Sequence, residues 1–422
     1  MALPVKTIVG RTEEPPRLAC DFTSQEFKQN PFPQLARLRE AGPLVSTRVP
    51  LFGQALVATN YAAVSELLRD HQRFAINPRA AGNRFVGTIL RWLPRNLQPL
   101  TTNMLLRDEP DHRRLRRLVE QAFQRQTIDQ LRPRLESLAD EALAQLQKEA
   151  ERSRGGVDLI ENFARPFPLA VICELLGLPP EDRPRFTHWA SRFSKSSTAW
   201  GILSGLRGLS KLLSYVRQEF RRQQLRPRAG LMAALIAAEE AGDRLTEDEL
   251  VAMVFLLLAA GHETTLHQIG HSVLTLLDHP AHLAQLRADE ALGDTAVQEL
   301  LRHVSFAQVA KPRYPTADTE FCGYPVRRGQ MIFACLASAN YDPAEFPRPE
   351  SLDLRRTPNR HLAFGTGIHF CLGARLASVE TEIALRKLLT RFPHLALSGD
   401  RSQIRYTPRF GTRSLARLLV RW

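Results

Sequence analysis

The chain has 422 residues, 44% hydrophobic and 24% charged, and 57 Lys and Arg against 44 Asp and Glu give a formal net charge of +13. Such a composition is typical of a globular protein with a sizeable core, and the scattered basic residues argue against a nucleic-acid-binding stripe or tail. The five cysteines are odd in number and form no CxxC pair, which argues against a disulfide framework or zinc ribbon and favours a reducing, cytoplasmic compartment.

The N-terminal part predicts an irregular arm followed by small regular elements. Residues 1–20 lack the apolar core of a signal peptide and contain adjacent prolines. Helical spacing predicts short helices over residues 34–41 and 61–70, and alternating apolar positions predict a β-ribbon over residues 44–58. Residues 75–103 carry prolines and glycines but are apolar for a loop, which is typical of loops that cover a ligand site.

From residue 111 to about residue 301 the sequence predicts one helix after another. The most hydrophobic of these helices opens at Thr246, and Glu249 has the spacing of a capping box. Its apolar run, residues 250–260, is shorter than the roughly 18–20 residues that cross a bilayer, so we expect no membrane span.

After residue 304 the character of the sequence changes. Short β-like segments occur at residues 320–324 and 331–336, and a coil follows over residues 343–364. A final helix is predicted from about residue 372 to residue 392. The whole pattern therefore predicts a mainly α fold with a small β-rich region.

The strongest local signal is the segment 364–374, which reads Phe-Gly-Thr-Gly-Ile-His-Phe-Cys-Leu-Gly-Ala. Its glycines allow a tight turn, and Cys371 stands at the predicted start of the final helix, where N–H groups stabilise a thiolate. Such a thiolate could be a nucleophile, part of a phosphatase-type loop or a metal ligand. A buried structural cysteine is the fourth alternative.

The neighbours of Cys371 help to separate these alternatives. A nucleophile needs a base, and His369 is the near candidate. The residues after Cys371 do not follow the pattern of a phosphate loop, and no further residues are spaced as zinc ligands. Haem needs one protein ligand on one face, and a thiolate there favours O–O cleavage.

The second signal is Ala-Gly-His-Glu-Thr-Thr at residues 260–265, which closes the apolar run. An unpaired polar group in a buried helix costs roughly 1–3 kcal/mol, so this segment needs a reason. One interpretation is a satisfied core network in which Thr264 bonds back to the preceding turn. The other is a proton relay, in which Thr264 holds water or dioxygen and Glu263 brings protons from solvent.

Two weaker signals consist of charged residues. Glu299 and Arg302 share one helical face among apolar neighbours, which suggests that they hold the coil before Cys371. A set of basic residues could clamp carboxylates, although each taken alone is more simply a surface charge; it consists of His112, Arg116, Arg313 and His369.

Together these segments resemble one family, the soluble bacterial cytochromes P450. In the family's order, the matches are H-x-x-x-R at residues 112–116, A-G-x-E-T-T at 260–265, E-x-x-R at 299–302, R-x-x-x-x-D at 313–318 and F-G-x-G-x-H-x-C-x-G at 364–373. The resemblance implies a single cytochrome P450 domain over residues 1–422, with a helical core and residues 1–20 as an irregular arm.

The resemblance also implies the site. Cys371 would bind the iron of haem b (iron protoporphyrin IX), and Glu263 with Thr264 would be the catalytic acid–alcohol pair. The other expected haem contacts are His112, Arg116, Ala260, Gly261, Arg313, Phe364, Gly365, His369 and Gly373. Glu299 and Arg302 would form a structural network. Ser351 stands where many members have Arg, which leaves the third partner open among Arg356, Arg360 and His361.

The resemblance further implies a monooxygenase that hydroxylates or epoxidises an apolar molecule of the lipid, terpenoid, steroid or macrolide class. Its expected lining is Phe85, Val86, Ile89, Leu90, Leu257, Phe306 and Val309, with residues 200–206 as part of a lid. Electrons would come from a separate acidic ferredoxin or flavodoxin, docked by Arg113, Arg114, Arg117 and Arg375. We expect a cytoplasmic monomer that spans no membrane.

Three other classes compete with this interpretation. A non-catalytic haem-thiolate sensor would have no need of Glu263 and Thr264 beside its haem. A cysteine hydrolase would bind no haem and would react with alkylators. A nucleic-acid binder would show strongly salt-dependent retention on DNA. Of these, the sensor is the alternative that we retain.

Overall fold

The structure is a computed structural model. It describes residues 14–50, 52–82, 97, 103–120, 125–153, 155–182, 184–185, 199–237, 239–240 and 243–422. Of the expected substrate-lining residues, Phe85, Val86, Ile89 and Leu90 lie outside the described residues. The expected lid segment, residues 200–206, is helical, but its side chains are outside the description.

The described residues are mainly helical. In chain order the helices are α1 (Gln25–Gln29), α2 (Phe32–Ala41), α3 (Tyr61–Arg69), α4 (Asp111–Glu120), α5 (Arg125–Arg152), α6 (Pro166–Leu176), α7 (Ala199–Leu225), α8 (Leu231–Ala237), α9 (Glu247–Asp278), α10 (Pro280–Ala288), α11 (Gly293–Val304), α12 (Leu336–Ala339) and α13 (Ala374–Arg391). The helices predicted from residue 111 to about residue 301 are confirmed within the described ranges.

The strands are short and form small sheets. They are β1 (Leu44–Val49), β2 (Gly53–Ala58), β3 (Phe74–Ala75), β4 (Val157–Asp158), β5 (Glu239–Glu240), β6 (Asp243–Arg244), β7 (Tyr314–Pro315), β8 (Thr319–Phe321), β9 (Tyr324–Val326), β10 (Ile332–Ala334), β11 (Ala396–Leu397) and β12 (Leu419–Arg421). The two three-stranded sheets have the orders β1-β2-β10 and β11-β12-β4. β1 and β2 pair antiparallel with Leu44 opposite Ala58, which confirms the predicted ribbon.

Helix α9 is the central helix of the described structure. It packs against α6, α7, α11 and α13, and most of its apolar residues are buried. The predicted capping box at its N-terminus is present: the Thr246 hydroxyl accepts from the backbone N–H of Glu249, whose carboxylate accepts from the N–H of Thr246. This cap satisfies N–H groups that the first turn would otherwise leave unpaired.

Some helix ends differ from the sequence prediction. α2 begins at Phe32, two residues before the predicted start, because Pro33 fits the first turn of a helix. The final helix begins at Ala374, two residues after the predicted start, because Cys371 to Gly373 form a turn before the first helical residue. These shifts leave the order of the elements unchanged.

A buried ion-pair network joins α11 to the coil that leads to Cys371. Glu299 and Arg302 are both fully buried, and two nitrogens of Arg302 each lie 2.8 Å from a carboxylate oxygen of Glu299. Arg302 Nη1 also donates to the carbonyl oxygens of Asn340 and Pro349, at 2.9 and 2.8 Å. The ion pair therefore holds the backbone in place at Asn340 and at Pro349.

Arg356 is the third side chain whose identity the sequence left open. Its Nε lies 3.2 and 3.1 Å from the two oxygens of Glu299, and Asn359 Nδ2 donates to the same carboxylate at 3.1 Å. Arg360 instead accepts from the Tyr61 hydroxyl through its carbonyl, and His361 bonds to Gln298. One carboxylate therefore serves several donors.

Replacement of Glu299 by Gln tests this network. Arg302 and Arg356 would keep their buried positions but lose the opposite charge, so we expect the free energy of unfolding to fall by about 3–5 kcal/mol. Urea unfolding followed by circular dichroism measures this change. As a matched control, Glu290→Gln removes an exposed carboxylate near the start of α11 and should stay within about 0.5 kcal/mol of the parent. A loss below about 1 kcal/mol for Glu299→Gln would contradict the assignment.

Candidate active site

The segment that carries Cys371 is shaped by two glycines in the left-handed region. Gly365 has φ 69° and Gly367 has φ 76°. A Cβ at Gly367 would lie 2.4 Å from the carbonyl oxygen of Leu68, so this position needs glycine for close contact with α3 as well as for its φ. The N–H of Cys371 then donates to the carbonyl oxygen of Phe364 at 3.0 Å, which closes the turn.

The electrostatics of Cys371 differ from the sequence expectation. We expected the helix N-terminus to favour a thiolate, but burial raises the pKa of Cys371 above its usual value. The N–H of Gly373 and the charge of Arg116 oppose this effect without overcoming it. A metal ion bound to the sulfur would supply the charge that a buried thiolate requires.

Arg116 on α4 forms hydrogen bonds to the backbone of the cysteine segment. Its Nη1 donates to the carbonyl oxygens of Ile368 at 3.1 Å and Phe370 at 2.8 Å, and its Nε reaches Glu120 at 3.3 Å. The sequence suggested Arg116 only as a carboxylate clamp. The structure shows that it also braces the backbone on either side of His369.

Two histidines meet beside this segment, and each has a buried nitrogen without a hydrogen-bond partner. The rings of His112 and His369 are 4.2 Å apart, and the unsatisfied atoms are Nδ1 of His112 and Nε2 of His369. Glu109 Oε1 lies 3.9 Å from the former, which is too far for a hydrogen bond. Nitrogens of His262, His267 and His303 are also buried without a partner, but this pair is distinguished by its place beside Cys371 and Arg313.

Basic groups surround His369. Burial lowers its pKa to about 2, and the charges of Arg313, His112, Arg116 and His71 act in the same direction. Arg313 is itself buried, and burial lowers its pKa to about 10 against the opposing charge of Asp108. The structure thus brings together all four predicted basic residues in a place suited to an anion.

Two residues near the cysteine segment, His71 and Arg69, were not predicted from the sequence. His71 lies close enough to affect His369, and Arg69 Nε donates to Thr366 Oγ1 at 3.2 Å. Both come from the end of α3, almost three hundred residues before the cysteine segment. No motif marks them, because only the packing of α3 on the cysteine segment makes them neighbours.

The polar residues in the middle of α9 occupy an unusual position. Ala260 and Thr264 are exposed although they belong to the most apolar helix of the described chain, and Gly261 and Glu263 are half-buried. The Thr264 hydroxyl donates to the carbonyl oxygen of Ala260 at 2.6 Å, as the first of the two interpretations expected. Glu263 forms an ion pair with Arg409, a residue that the sequence did not suggest.

The described members of the expected substrate lining have different packing partners, and their role as a lining stays a prediction. Leu257 belongs to the main core cluster, and Phe306 stacks on His267 with a centroid distance of 5.0 Å. Val309 packs against the N-terminal cluster that contains Phe22, together with Phe410. The side chains expected to cover them, from residues 85–90, lie outside the described part.

The arginines expected to dock a partner divide into two groups. Arg114 forms an ion pair with Glu249, and Arg375 lies 3.9 Å from Asp294. Arg113 and Arg117 are exposed on α4, although Arg113 also reaches Glu109 at 3.1 Å. The charge of Arg114 joins α4 to α9, and its role as a docking residue stays a prediction.

The donor set restricts the kind of metal group that could bind. Among the described residues no three or more His, Cys, Asp or Glu side chains cluster as metal ligands, which disfavours a zinc site here. The half-buried thiol of Cys371, the open space beside the Cα atoms of Gly365 and Gly373, and the basic cluster fit haem, which needs one protein ligand and partners for two carboxylates.

Helix α9 also meets the length and composition of a membrane span. However, 61% of its most apolar window is buried inside the protein, as in the core helix of a globular protein. Its apolar character is thus explained by the packing of α6, α7, α11 and α13 around it.

Comparison with known proteins agrees with this geometry. The family model for cytochrome P450 matches residues 207–417. The polyketide biosynthesis cytochrome P450 PksS of Bacillus subtilis is 36% identical over 94% of this chain and 96% of its own length. The solved structure of PksS has a TM-score of 0.85 at 34% identity, and the match covers 94% of this chain and 98% of that one.

Two further relatives extend the match. The cytochrome P450 monooxygenase PikC of Streptomyces venezuelae is 36% identical over 99% of this chain and 97% of its own. The structure of the myxobacterial cytochrome P450 CYP267B1 in complex with myristic acid has a TM-score of 0.82 at 36% identity, covering 94% of this chain and 98% of that one. The names of such relatives favour an enzyme over the sensor that we retained as an alternative. The chain therefore belongs to the cytochrome P450 family and is a haem-dependent monooxygenase of the bacterial type.

Proposed function

We propose that Cys371 is the axial ligand of the haem iron and that the whole chain forms one domain around this site. The observation that carries the proposal is the single thiol on a glycine turn, with a basic cluster and two unsatisfied imidazole nitrogens beside it. When haem is bound through a thiolate, it activates dioxygen for insertion of one oxygen atom into a substrate. The chain's own side chains bind the carboxylates of the cofactor and move protons.

The basic cluster binds the carboxylates of the cofactor in this proposal. Arg313 offers a planar fork, and the free nitrogens of His112 and His369 offer one donor each. Arg116 contributes its charge while it holds the cysteine segment. The group would be held between α9 and the cysteine turn, where the residues without bulky side chains are Ala260, Gly261, Gly365 and Gly373, and Phe364 would be a further contact.

Thr264 and Glu263 handle protons on the opposite side of the site. The exposed Thr264 hydroxyl can turn from Ala260 and donate to, or accept from, a water at this surface. Glu263 is the nearest acid along the helix and can carry a proton from solvent to that water. The pair thereby supplies protons without opening the site to bulk solvent.

The substrate that we propose is an apolar molecule of the polyketide or fatty-acid type. PksS is named for polyketide biosynthesis, and the CYP267B1 structure holds myristic acid. Apolar residues of this chain at the expected lining positions, Leu257, Phe306 and the predicted Phe85 to Leu90 segment, are suited to such a molecule. The enzyme is proposed to act as a cytoplasmic monomer.

The electron donor that we propose is an acidic ferredoxin or flavodoxin. Arg113 and Arg117 are exposed on α4, whose Arg116 contacts the cysteine segment directly. A partner bound there would stand close to Cys371, and opposite charge would speed its encounter with this basic protein.

The ligand assignment predicts a spectroscopic result. Reduced holoenzyme exposed to carbon monoxide should show a strongly red-shifted Soret band, because a thiolate donates electron density to the iron. Cys371→Ser should lose this band, whereas Cys322→Ser, which changes a half-buried cysteine on the loop between β8 and β9, should retain it. A red-shifted band in Cys371→Ser would contradict the proposal.

Replacement of Thr264 by Ala tests the acid–alcohol pair. Without the hydroxyl, protons are delivered less well, so we expect product formed per reductant consumed to fall by about tenfold or more, with peroxide as the by-product. Thr264→Ser is the matched control, since it keeps the hydroxyl and should retain most of the yield. An unchanged ratio in Thr264→Ala would count against the proton role and would revive the sensor alternative.

Charge reversal tests the docking surface. Arg117→Glu should raise the apparent KM for an acidic ferredoxin or flavodoxin at low salt by about two- to fivefold, and added salt should reduce the difference. Arg226→Glu, an equal charge change in the exposed segment after α7, should have little effect. Equal behaviour of the two variants in steady-state turnover would exclude this face.

A further inference from the structure

Glu263 is held by a residue from the C-terminal part of the chain. Arg409 Nη1 pairs with its Oε1, and the two residues are 146 positions apart in sequence. The side chain of Arg409 is 37% exposed and that of Glu263 is 23% exposed, so the pair stands at a surface and not in the core. The Thr264 hydroxyl meanwhile donates to Ala260 O, so acid and alcohol each have a different partner.

The segment that carries Arg409 is fixed by Lys28 of α1. Lys28 is fully buried, and its Nζ donates to the carbonyl oxygen of Arg409 at 2.8 Å, to that of Thr412 at 2.5 Å and to Gln308 Oε1 at 2.8 Å. An ammonium group has three N–H donors, and here three oxygens accept them. No carboxylate takes part in these three bonds, so the contact is a backbone anchor and not an ion pair.

Other bonds attach the same segment to its neighbours. Arg413 Nε returns a bond to the carbonyl oxygen of Lys28 at 2.6 Å, and the carbonyl oxygen of Gly411 accepts from the N–H groups of Gln308 and Val309 at 2.9 and 3.2 Å. The backbone from Arg409 to Arg413 is therefore fixed by α1 and by the chain that follows α11. The guanidinium of Arg409 pairs with Glu263.

We propose that Arg409 is the positioning residue for the Glu263 carboxylate and that Lys28 sets the place of Arg409. Helix α1, through Lys28 and Arg409, would thus determine the position of the Glu263 carboxylate. This inference rests on the proposed proton role of Glu263 and names the residues that regulate it. Arg409 holds the carboxylate at one surface position, and the carboxylate leaves that position to exchange a proton with the water at Thr264.

The test compares product formed per reductant consumed in the holoenzyme variants Arg409→Met, Glu263→Gln and the double variant. We expect Arg409→Met to lower this ratio by about two- to fivefold, the range that the energy of a partly exposed ion pair allows. It should also raise the solvent deuterium isotope effect on product formation. The double variant should match Glu263→Gln, because the arginine acts through the acid. Arg409→Lys should recover part of the loss.

A readout independent of turnover comes from urea unfolding of the same holoenzymes. A double-mutant cycle between Arg409 and Glu263 should give a coupling factor of about two- to fivefold in the unfolding equilibrium constant. A factor of one would show that the pair is not formed in solution and would overturn the inference.

The chain offers a matched control on the same helix. Arg401 Nε pairs with Asp278 at 2.9 Å, which again joins the C-terminal part to α9, but at the end of the helix far from Thr264. Arg401→Met should show a similar coupling with Asp278 in unfolding while its product ratio and isotope effect stay at the parent values. A loss of product in Arg401→Met equal to that in Arg409→Met would overturn the positioning role.

The role of Lys28 is tested by Lys28→Met, which leaves the carbonyl oxygens of Arg409 and Thr412 without their donor. It should reproduce the lowered product ratio of Arg409→Met, and the two changes together should cause no further loss. If Lys28→Met yields no holoenzyme, Gln308→Ala, which removes one acceptor of the anchor, serves for the same comparison. A parent-like product ratio in the folded variant would overturn the anchor.

The outcomes also separate this inference from the proposed function. If Glu263→Gln itself leaves the product ratio unchanged, the proton role of Glu263 is wrong and the inference falls with it. If Glu263→Gln lowers the ratio and Arg409→Met does not, the proton role stands and only the positioning by Arg409 is wrong.

Discussion

The structure depends on keeping one half-buried cysteine sulfur in a place where it can bind a cation. Burial raises the pKa of Cys371, and the N–H of Gly373 and the charge of Arg116 do not compensate fully. The sulfur is therefore suited to a metal centre that supplies the missing positive charge, and less suited to a free nucleophile. The left-handed glycines, the bonds from Arg116 to the backbone and the contact with α3 all serve to hold this one atom in position.

Basic residues are used in two different ways around this site. Arg302 and Arg356 are satisfied by Glu299 inside the protein, and they fix the coil before the cysteine segment. His112 and His369, by contrast, keep unsatisfied buried nitrogens beside Arg313. Because unsatisfied buried groups cost free energy, the first set belongs to the fold, and we propose that the second set binds the carboxylates of the cofactor.

A segment near the N-terminus and a segment near the C-terminus contact each other close to Glu263, the acid that we propose to carry protons. Lys28 near the N-terminus anchors the segment of Arg409 and Thr412, and Arg409 contacts Glu263 in the middle of α9. Burial lowers the pKa of Lys28 to about 7, and the three oxygens that accept its protons offset only part of the cost of burying the ammonium group. If Glu263 carries protons as we propose, this arrangement lets segments near both ends of the chain, which carry no motif, position that acid.

The sequence by itself determined the features that depend on local spacing. Glycines and a cysteine within eleven residues defined the turn at Cys371, alternation defined the ribbon of β1 and β2, and helical spacing defined the capping box of α9 and the Glu299–Arg302 pair. Only the tertiary structure decided among Arg356, Arg360 and His361, assigned Arg114 to Glu249, and joined Lys28 and Arg409 to the site. The physical reason is separation along the chain: periodicity reports which face a residue takes on its own element, whereas partners 57 to 381 positions apart are chosen by how the elements pack.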